Sequence, residues 1–168
     1  MVLWFILLSK FLESLAYFII SIILTTYLSD HFGCSDISAG NIYGLLGFAT
    51  SLYAVCFGQI VDFFGVRCGL ILGSLLVFFG RFSLAFTDNL VVFNVFLFSL
   101  VSIGTALIIP ILQIAIKRVV KIEQRAAAFA GFYIAMNIGA LLSGLTIDSL
   151  RAALPPGKDK APNTFVTW

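Results

Sequence analysis

The sequence predicts an all-α integral membrane protein, a bundle of about five transmembrane helices. Of its 168 residues, 61% are hydrophobic and 11% are charged, whereas soluble domains have roughly 45–50% apolar and about 25% charged residues. The apolar residues also lie in long runs. A helix needs about 20 such residues to cross a hydrocarbon core of ~30 Å. Because backbone in lipid must satisfy its own hydrogen bonds, these runs are expected to be helical.

Five runs meet this length requirement, and polar or turn-forming stretches separate them. The spans are expected at about 3–28, 42–61, 66–86, 90–116 and 126–147, within a bundle formed by residues 1–150. The connections then fall at 29–40, 62–65, 87–89 and 117–125. Residues 151–168 are expected to form a polar tail or the start of a truncated sixth span.

Basic residues favour one orientation in the membrane. The first and third connections contain no lysine or arginine, and cytoplasmic connections are typically rich in both. The amino terminus is therefore expected in the cytoplasm, with the plasma membrane as the expected location. The basic residues that support this orientation all lie in or beside the second and fourth connections: Arg67, Lys117, Arg118, Lys121 and Arg125.

Polar residues within a span are costly, so their positions are informative. In the first span Glu13, Tyr17, Ser21 and Thr25 recur every four residues along one side of the helix. One interpretation is a face that lines a polar cavity, where Glu13 binds a proton or a cationic group. The other is local: the hydroxyls bond to backbone, and Glu13 pairs with Lys10 three residues before it.

The fifth span has two contrasting sides. Phe129, Tyr133 and Asn137 recur every four residues, and Asn137 lies near the middle of the span. This amide is expected either to bond to a neighbouring helix or to contact a solute. The opposite side carries small residues that permit close helix packing: Ala127, Gly131, Ala135, Gly139 and Ser143.

Between the second and third spans lies a motif of spaced glycines and charges, GQIVDFFGVR, at residues 58–67. Gly58 permits close helix packing, Gly65 permits a tight turn, and Asp62 can pair with a cation or cap a helix. The motif resembles the signature loop of the major facilitator superfamily, Gly-x-x-x-Asp-(Arg/Lys)-x-Gly-(Arg/Lys)-(Arg/Lys). Arg67 also matches this pattern, whereas Phe63 and Val66 depart from it at two basic positions.

Three further stretches carry the resemblance. Gly104 and Pro110, followed by a basic connection, are similar to the family's fourth span, where the proline is expected to kink the helix. Residues 132–140 (FYIAMNIGA) are similar to its fifth span. Residues 11–18 (FLESLAYF) resemble the first span of its proton-coupled oligopeptide branch, although Ser14 replaces an arginine.

The resemblance implies a fold of twelve spans in two halves, of which this chain is most of the amino-terminal half. It implies secondary active or facilitative transport of a small solute through a cavity lined by spans one, four and five. Glu13, Tyr17, Tyr133 and Asn137 would contact the solute or a proton. The gating contacts on the cytoplasmic side would come from the loop motif: Gly58, Asp62, Gly65 and Arg67.

Other functions are less well supported by the sequence. The alternative is a non-transporting membrane scaffold or accessory subunit, which five spans with packing faces would also suit. No catalytic motif indicates an enzyme, and Cys34, Cys56 and Cys68 lack the spacing of metal ligands. No metal, cofactor or nucleic acid is therefore expected. The expected partners are the lipid bilayer, a small solute, and a second transmembrane half or another copy of the chain.

Overall fold

The computed structural model describes the backbone of residues 2–153 and the side chains of residues 2–57 and 65–153. The predicted tail or sixth span at 154–168 lies outside the described residues. Within 2–153 the regular elements are all helical: α1 (Val2–Phe32), α2 (Asp36–Ala85), α3 (Leu90–Phe96), a π-helical segment (Leu97–Val101), α4 (Ser102–Val119), a 3₁₀ turn (Ile122–Gln124) and α5 (Arg125–Ala153).

Five helical stretches are long and apolar enough to cross a membrane, which confirms the predicted fold class. They are Val2–Phe32, Asp36–Phe57, Gly65–Ala85, Leu90–Val119 and Ile122–Ala153. The described residues form two compact units. The first contains residues 2–24 and 112–153, and the second contains residues 25–111. Both α1 and α4 contribute residues to each unit.

The connection between α1 and α2 is much shorter than the 29–40 stretch predicted from polarity. Gly33 adopts a positive φ of 65° directly after α1, and the Cys34 N–H donates to the Leu28 carbonyl at 3.1 Å. This geometry is a common way to end a helix. Ser35 then caps α2, its hydroxyl accepting from the Ser38 N–H at 3.3 Å. Both helices therefore extend into the polar stretch, and only three residues join them.

The connection predicted at 62–65 is also shorter in the structure. Residues 62–64 have helical backbone within α2, and helical geometry breaks at Gly65, with φ 75° and ψ 161°. A positive φ is costly for any residue with a side chain. The glycine singled out in the loop motif is therefore required by the backbone at the boundary between two spans.

In the second unit the later part of α2 packs closely against α4. A Cβ atom at Gly104 would lie 2.7 Å from Val77 Cγ2 and 2.9 Å from the Gly73 carbonyl oxygen. At Gly80, a Cβ atom would lie 2.8 Å from Val101 Cγ2. Residue numbers rise along α2 as they fall along α4, so the two helices are antiparallel. Glycines on both helices allow their backbones to touch.

The fourth span departs from α geometry well before its proline. Helix α4 continues through Pro110, whereas the preceding Leu97–Val101 is π-helical. The buried Ser102 hydroxyl donates to the Leu97 carbonyl, five residues earlier, at 3.0 Å. Such π segments are rare, and they occur frequently at functional sites.

Candidate solute-binding face

In the first unit α1 and α5 are packed as a close parallel pair. A Cβ atom at Gly139 would lie 2.9 Å from the Phe11 carbonyl oxygen and 3.0 Å from the Leu15 nitrogen. Nearer the start of both helices, a Cβ at Gly131 would lie 3.6 Å from Leu7 Cδ1. Residue numbers rise together along the two helices, so both cross in the same direction. Three spans separate them in the chain, as an alternating topology requires.

The predicted stripe of small residues is only partly buried. Gly139 and Ser143 are buried, whereas Ala127 is exposed. An α-helix has 3.6 residues per turn, so residues spaced by four drift by about 40° at each step. Between Ala127 and Ser143 the drift reaches about 160°, which moves the stripe from one side of α5 to the other. The buried side of α5 is Ala128, Phe132, Gly139, Ser143 and Ile147.

Two charged side chains are buried within the first span. The Lys10 ammonium lies 2.8 Å from Glu13 Oε2, and the two side chains are only 6% and 10% exposed. The same ammonium lies 5.3 Å from the centre of the Phe132 ring on α5, within the range of a cation–π interaction. The Lys10–Glu13 pairing proposed from sequence spacing is therefore formed. Phe132 was missed, because contact between two distant spans leaves no local signal.

The other three residues of the predicted polar stripe on α1 are less enclosed than Glu13. Tyr17, Ser21 and Thr25 are all partly exposed, and the Tyr17 ring meets Phe18 edge-on at 5.4 Å. Ser14 is 1% exposed. The Ser14 Cβ would lie 3.1 Å from a Cβ atom placed at Gly139, so Ser14 belongs to the contact with α5.

Tyr133 and Asn137 lie together on the exposed side of α5. Tyr133 is 51% exposed, and Asn137 Nδ2 donates to its carbonyl oxygen at 2.8 Å. Glu13, by contrast, is enclosed by Lys10 at the α1–α5 contact. Among the described residues no direct bond joins Glu13 to Tyr133 or Asn137. The four predicted contact residues therefore belong to one unit, but Glu13 lies in a largely buried ion pair, whereas Tyr133 and Asn137 form a separate exposed polar strip.

The loop motif is described only in part. Gly65 forms the helix break, and Arg67 is exposed. The surroundings of Gly58 and the side chain of Asp62 are not described. Their gating role stays a prediction.

The second unit contains polar groups that sequence spacing did not bring together. His31 Nε2 lies 3.8 Å from Asp88 Oδ1, and its ring stacks on Tyr27 with 4.9 Å between centres. An open cavity of about 310 Å³ lies where α1 ends and α2 begins, lined by Thr25, Thr26, Ser29, Asp30, Asp36 and Ala39. Within the described part of the chain, no group of three or more histidine, cysteine, aspartate or glutamate residues could hold a metal ion.

Five helices long and apolar enough to cross a membrane define a multi-pass integral membrane protein, and one of them contains a largely buried ion pair. The family model described as Major Facilitator Superfamily matches residues 6–150, and the chain belongs to this superfamily. The family transports small solutes across membranes. A search of curated proteins finds no match to this sequence. The family match gives no support to the oligopeptide branch in particular.

Proposed function

We propose that this chain forms one wall of the central cavity of a small-solute transporter that works by secondary active or facilitative transport. The observation that carries the proposal is the presence of two ionisable side chains, Lys10 and Glu13, inside an apolar span. Their pairing at 2.8 Å does not remove the carboxylate from that span. Ionisable residues within spans are rare and typically mark solute or proton pathways. Glu13 is the group that takes up a proton or a cationic solute, and Tyr17 lies one turn further along α1.

The exposed strip of Tyr133 and Asn137 supports the second half of the proposal. An exposed amide and phenol are poor partners for lipid tails, because the hydrocarbon offers no hydrogen bonds. A water-filled cavity explains their exposure. The opposite wall of that cavity is a second transmembrane half or another copy of the chain, and the two walls rock around the central site. Asp62 and Arg67 gate its cytoplasmic side, and the plasma membrane is the proposed location.

The competing proposal is a scaffold or accessory subunit that transports nothing. It is compatible with the close α1–α5 and α2–α4 contacts, which would serve a scaffold and a transporter equally well. Uptake distinguishes the two. When the chain is overexpressed in the cell that natively carries its gene, so that any second half is also present, the cells should accumulate at least one radiolabelled solute faster than cells with an empty vector. The panel of solutes contains sugars, amino acids, organic acids and organic amines. If the protein reaches the membrane and no solute of the panel moves faster, the scaffold proposal is favoured.

A further inference from the structure

The buried ion pair on α1 has a third member on another helix. Lys10 is 5% exposed although its side chain is long and charged. Its ammonium contacts the Glu13 carboxylate at 2.8 Å and lies over the Phe132 ring at 5.3 Å. A buried cation needs compensating groups on more than one side. Here a carboxylate supplies one partner, and an aromatic face supplies the other.

We infer that Lys10 is a tethered counter-ion, held by Phe132 of α5 so that it occupies Glu13 until a proton or cationic solute displaces it. The inference rests on the proposed role of Glu13 as the site of proton or solute uptake. Its geometric basis is that one ammonium satisfies both contacts at once. Lys10 and Phe132 are then positioning residues, because they act on the solute only through Glu13.

Lys10 is the charged side chain in direct contact with Glu13, 2.8 Å away. Helix α5 places Gly131, Phe132 and Gly139 against this part of α1, and none of the three titrates. On α1 itself the next titratable side chain is Tyr17, one turn further along. An unpaired carboxylate in apolar surroundings takes up a proton more readily than a paired one. Removing Lys10 should therefore change how readily Glu13 reacts as a carboxylic acid.

Chemical labelling of Glu13 tests the inference without requiring transport. The whole chain is reconstituted in lipid nanodiscs at pH 7 and treated with dicyclohexylcarbodiimide, an apolar reagent that modifies protonated carboxyls. Mass spectrometry then measures the labelling rate at Glu13. We expect Lys10→Gln to raise this rate about tenfold or more, because the ammonium that contacts the Glu13 carboxylate at 2.8 Å is then absent. Lys10→Arg should label like the wild type, since it keeps the charge and the ring contact.

Variants of Phe132 test whether this residue positions Lys10 or only packs against α1. Phe132→Leu should raise the labelling rate about threefold, the effect of one weak cation–π contact, whereas Phe132→Tyr should leave it unchanged. Phe129→Leu is the matched control on the same helix and should also leave the rate unchanged. A purely packing role would give Phe132→Leu the same rate as Phe129→Leu.

The inference is overturned if Lys10→Gln and Lys10→Arg label at the same rate, or if Phe132→Leu matches Phe129→Leu. Should Lys10→Gln fail to fold, the two phenylalanine variants and Lys10→Arg still decide the question. Failure of the proposed function would be seen in solute uptake and not in the labelling rates. In that case Glu13→Gln leaves solute uptake intact, whatever order the labelling rates follow.

Discussion

Gly104→Leu is expected to lower the free energy of unfolding by about 3 kcal/mol or more, through overpacking. A single Cβ atom at this position would already lie 2.7 Å from Val77 Cγ2, 2.8 Å from the Val77 nitrogen and 2.9 Å from the Gly73 oxygen. Two of these three atoms belong to the backbone of α2, so a rotamer change cannot relieve the clash. The helices must separate instead. Denaturant unfolding of the purified chain in detergent measures the loss.

Gly47→Leu is the matched control for this variant. Gly47 lies on the exposed early part of α2, and a Cβ atom there would have no neighbour within 4 Å. Both substitutions replace a helical glycine, so each gains about 1 kcal/mol of helix propensity. Gly47→Leu should therefore be neutral or slightly stabilising. Equal stabilities of the two variants would contradict the close α2–α4 contact.

Glu13→Gln is expected to reduce solute uptake about tenfold or more. A hydrogen bond to a charged group contributes about 1.5–3 kcal/mol, and each 1.4 kcal/mol corresponds to a factor of ten. Glutamine keeps the size and one acceptor oxygen but can neither hold a proton nor neutralise a cation. Glu123→Gln, an exposed carboxylate in the 3₁₀ turn before α5, is the matched control and should transport normally. Proton-driven uptake that survives Glu13→Gln would exclude a coupling role for this residue.

Glu13→Gln also leaves Lys10 without its carboxylate, which destabilises the protein for reasons unrelated to transport. The double variant Lys10→Met/Glu13→Met separates these effects. Replacing a buried pair with apolar residues is often neutral or stabilising, so the double variant should unfold like the wild type and still fail to transport. Recovery of uptake along with stability would show that the pair is structural.

The helical fold class and the number of candidate spans could be predicted from sequence, because the bilayer sets the length of a span and hydropathy is a local property of the sequence. The first and second connections were predicted too long because polarity was taken as a sign of a loop. Helices α1 and α2 instead both extend into the first polar stretch. Helix α1 ends at Gly33, which has a positive φ, and Ser35 caps the start of α2. Gly65 was identified correctly, since a positive φ has a direct signature in residue type.

The candidate site could be predicted only where its chemistry is local. The Lys10–Glu13 pair follows from a spacing of three residues on one helix. The Phe132 contact depends on how two spans that are far apart in the chain pack together, and no pattern within either span encodes it. The α2–α4 contact left a weak signal in Gly69, Gly73 and Gly80, whose spacing places them on neighbouring turns of one helix face.

The most direct test of the central claim, that the Tyr133–Asn137 strip faces water rather than lipid, compares two neighbouring positions on α5. In a variant lacking Cys34, Cys56 and Cys68, Asn137→Cys and Ile138→Cys place thiols about 1.5 Å apart in depth but about 100° apart around the helix. Both positions are exposed on the chain. The variants are expressed in the cell that natively carries the gene, and its membranes are treated with a charged thiol reagent. The reagent is charged so that it modifies only thiols that water reaches, since the thiolate is the reactive form. We predict that Asn137→Cys reacts roughly tenfold faster than Ile138→Cys. Equally unreactive thiols at the two positions would contradict a transport pathway along this helix.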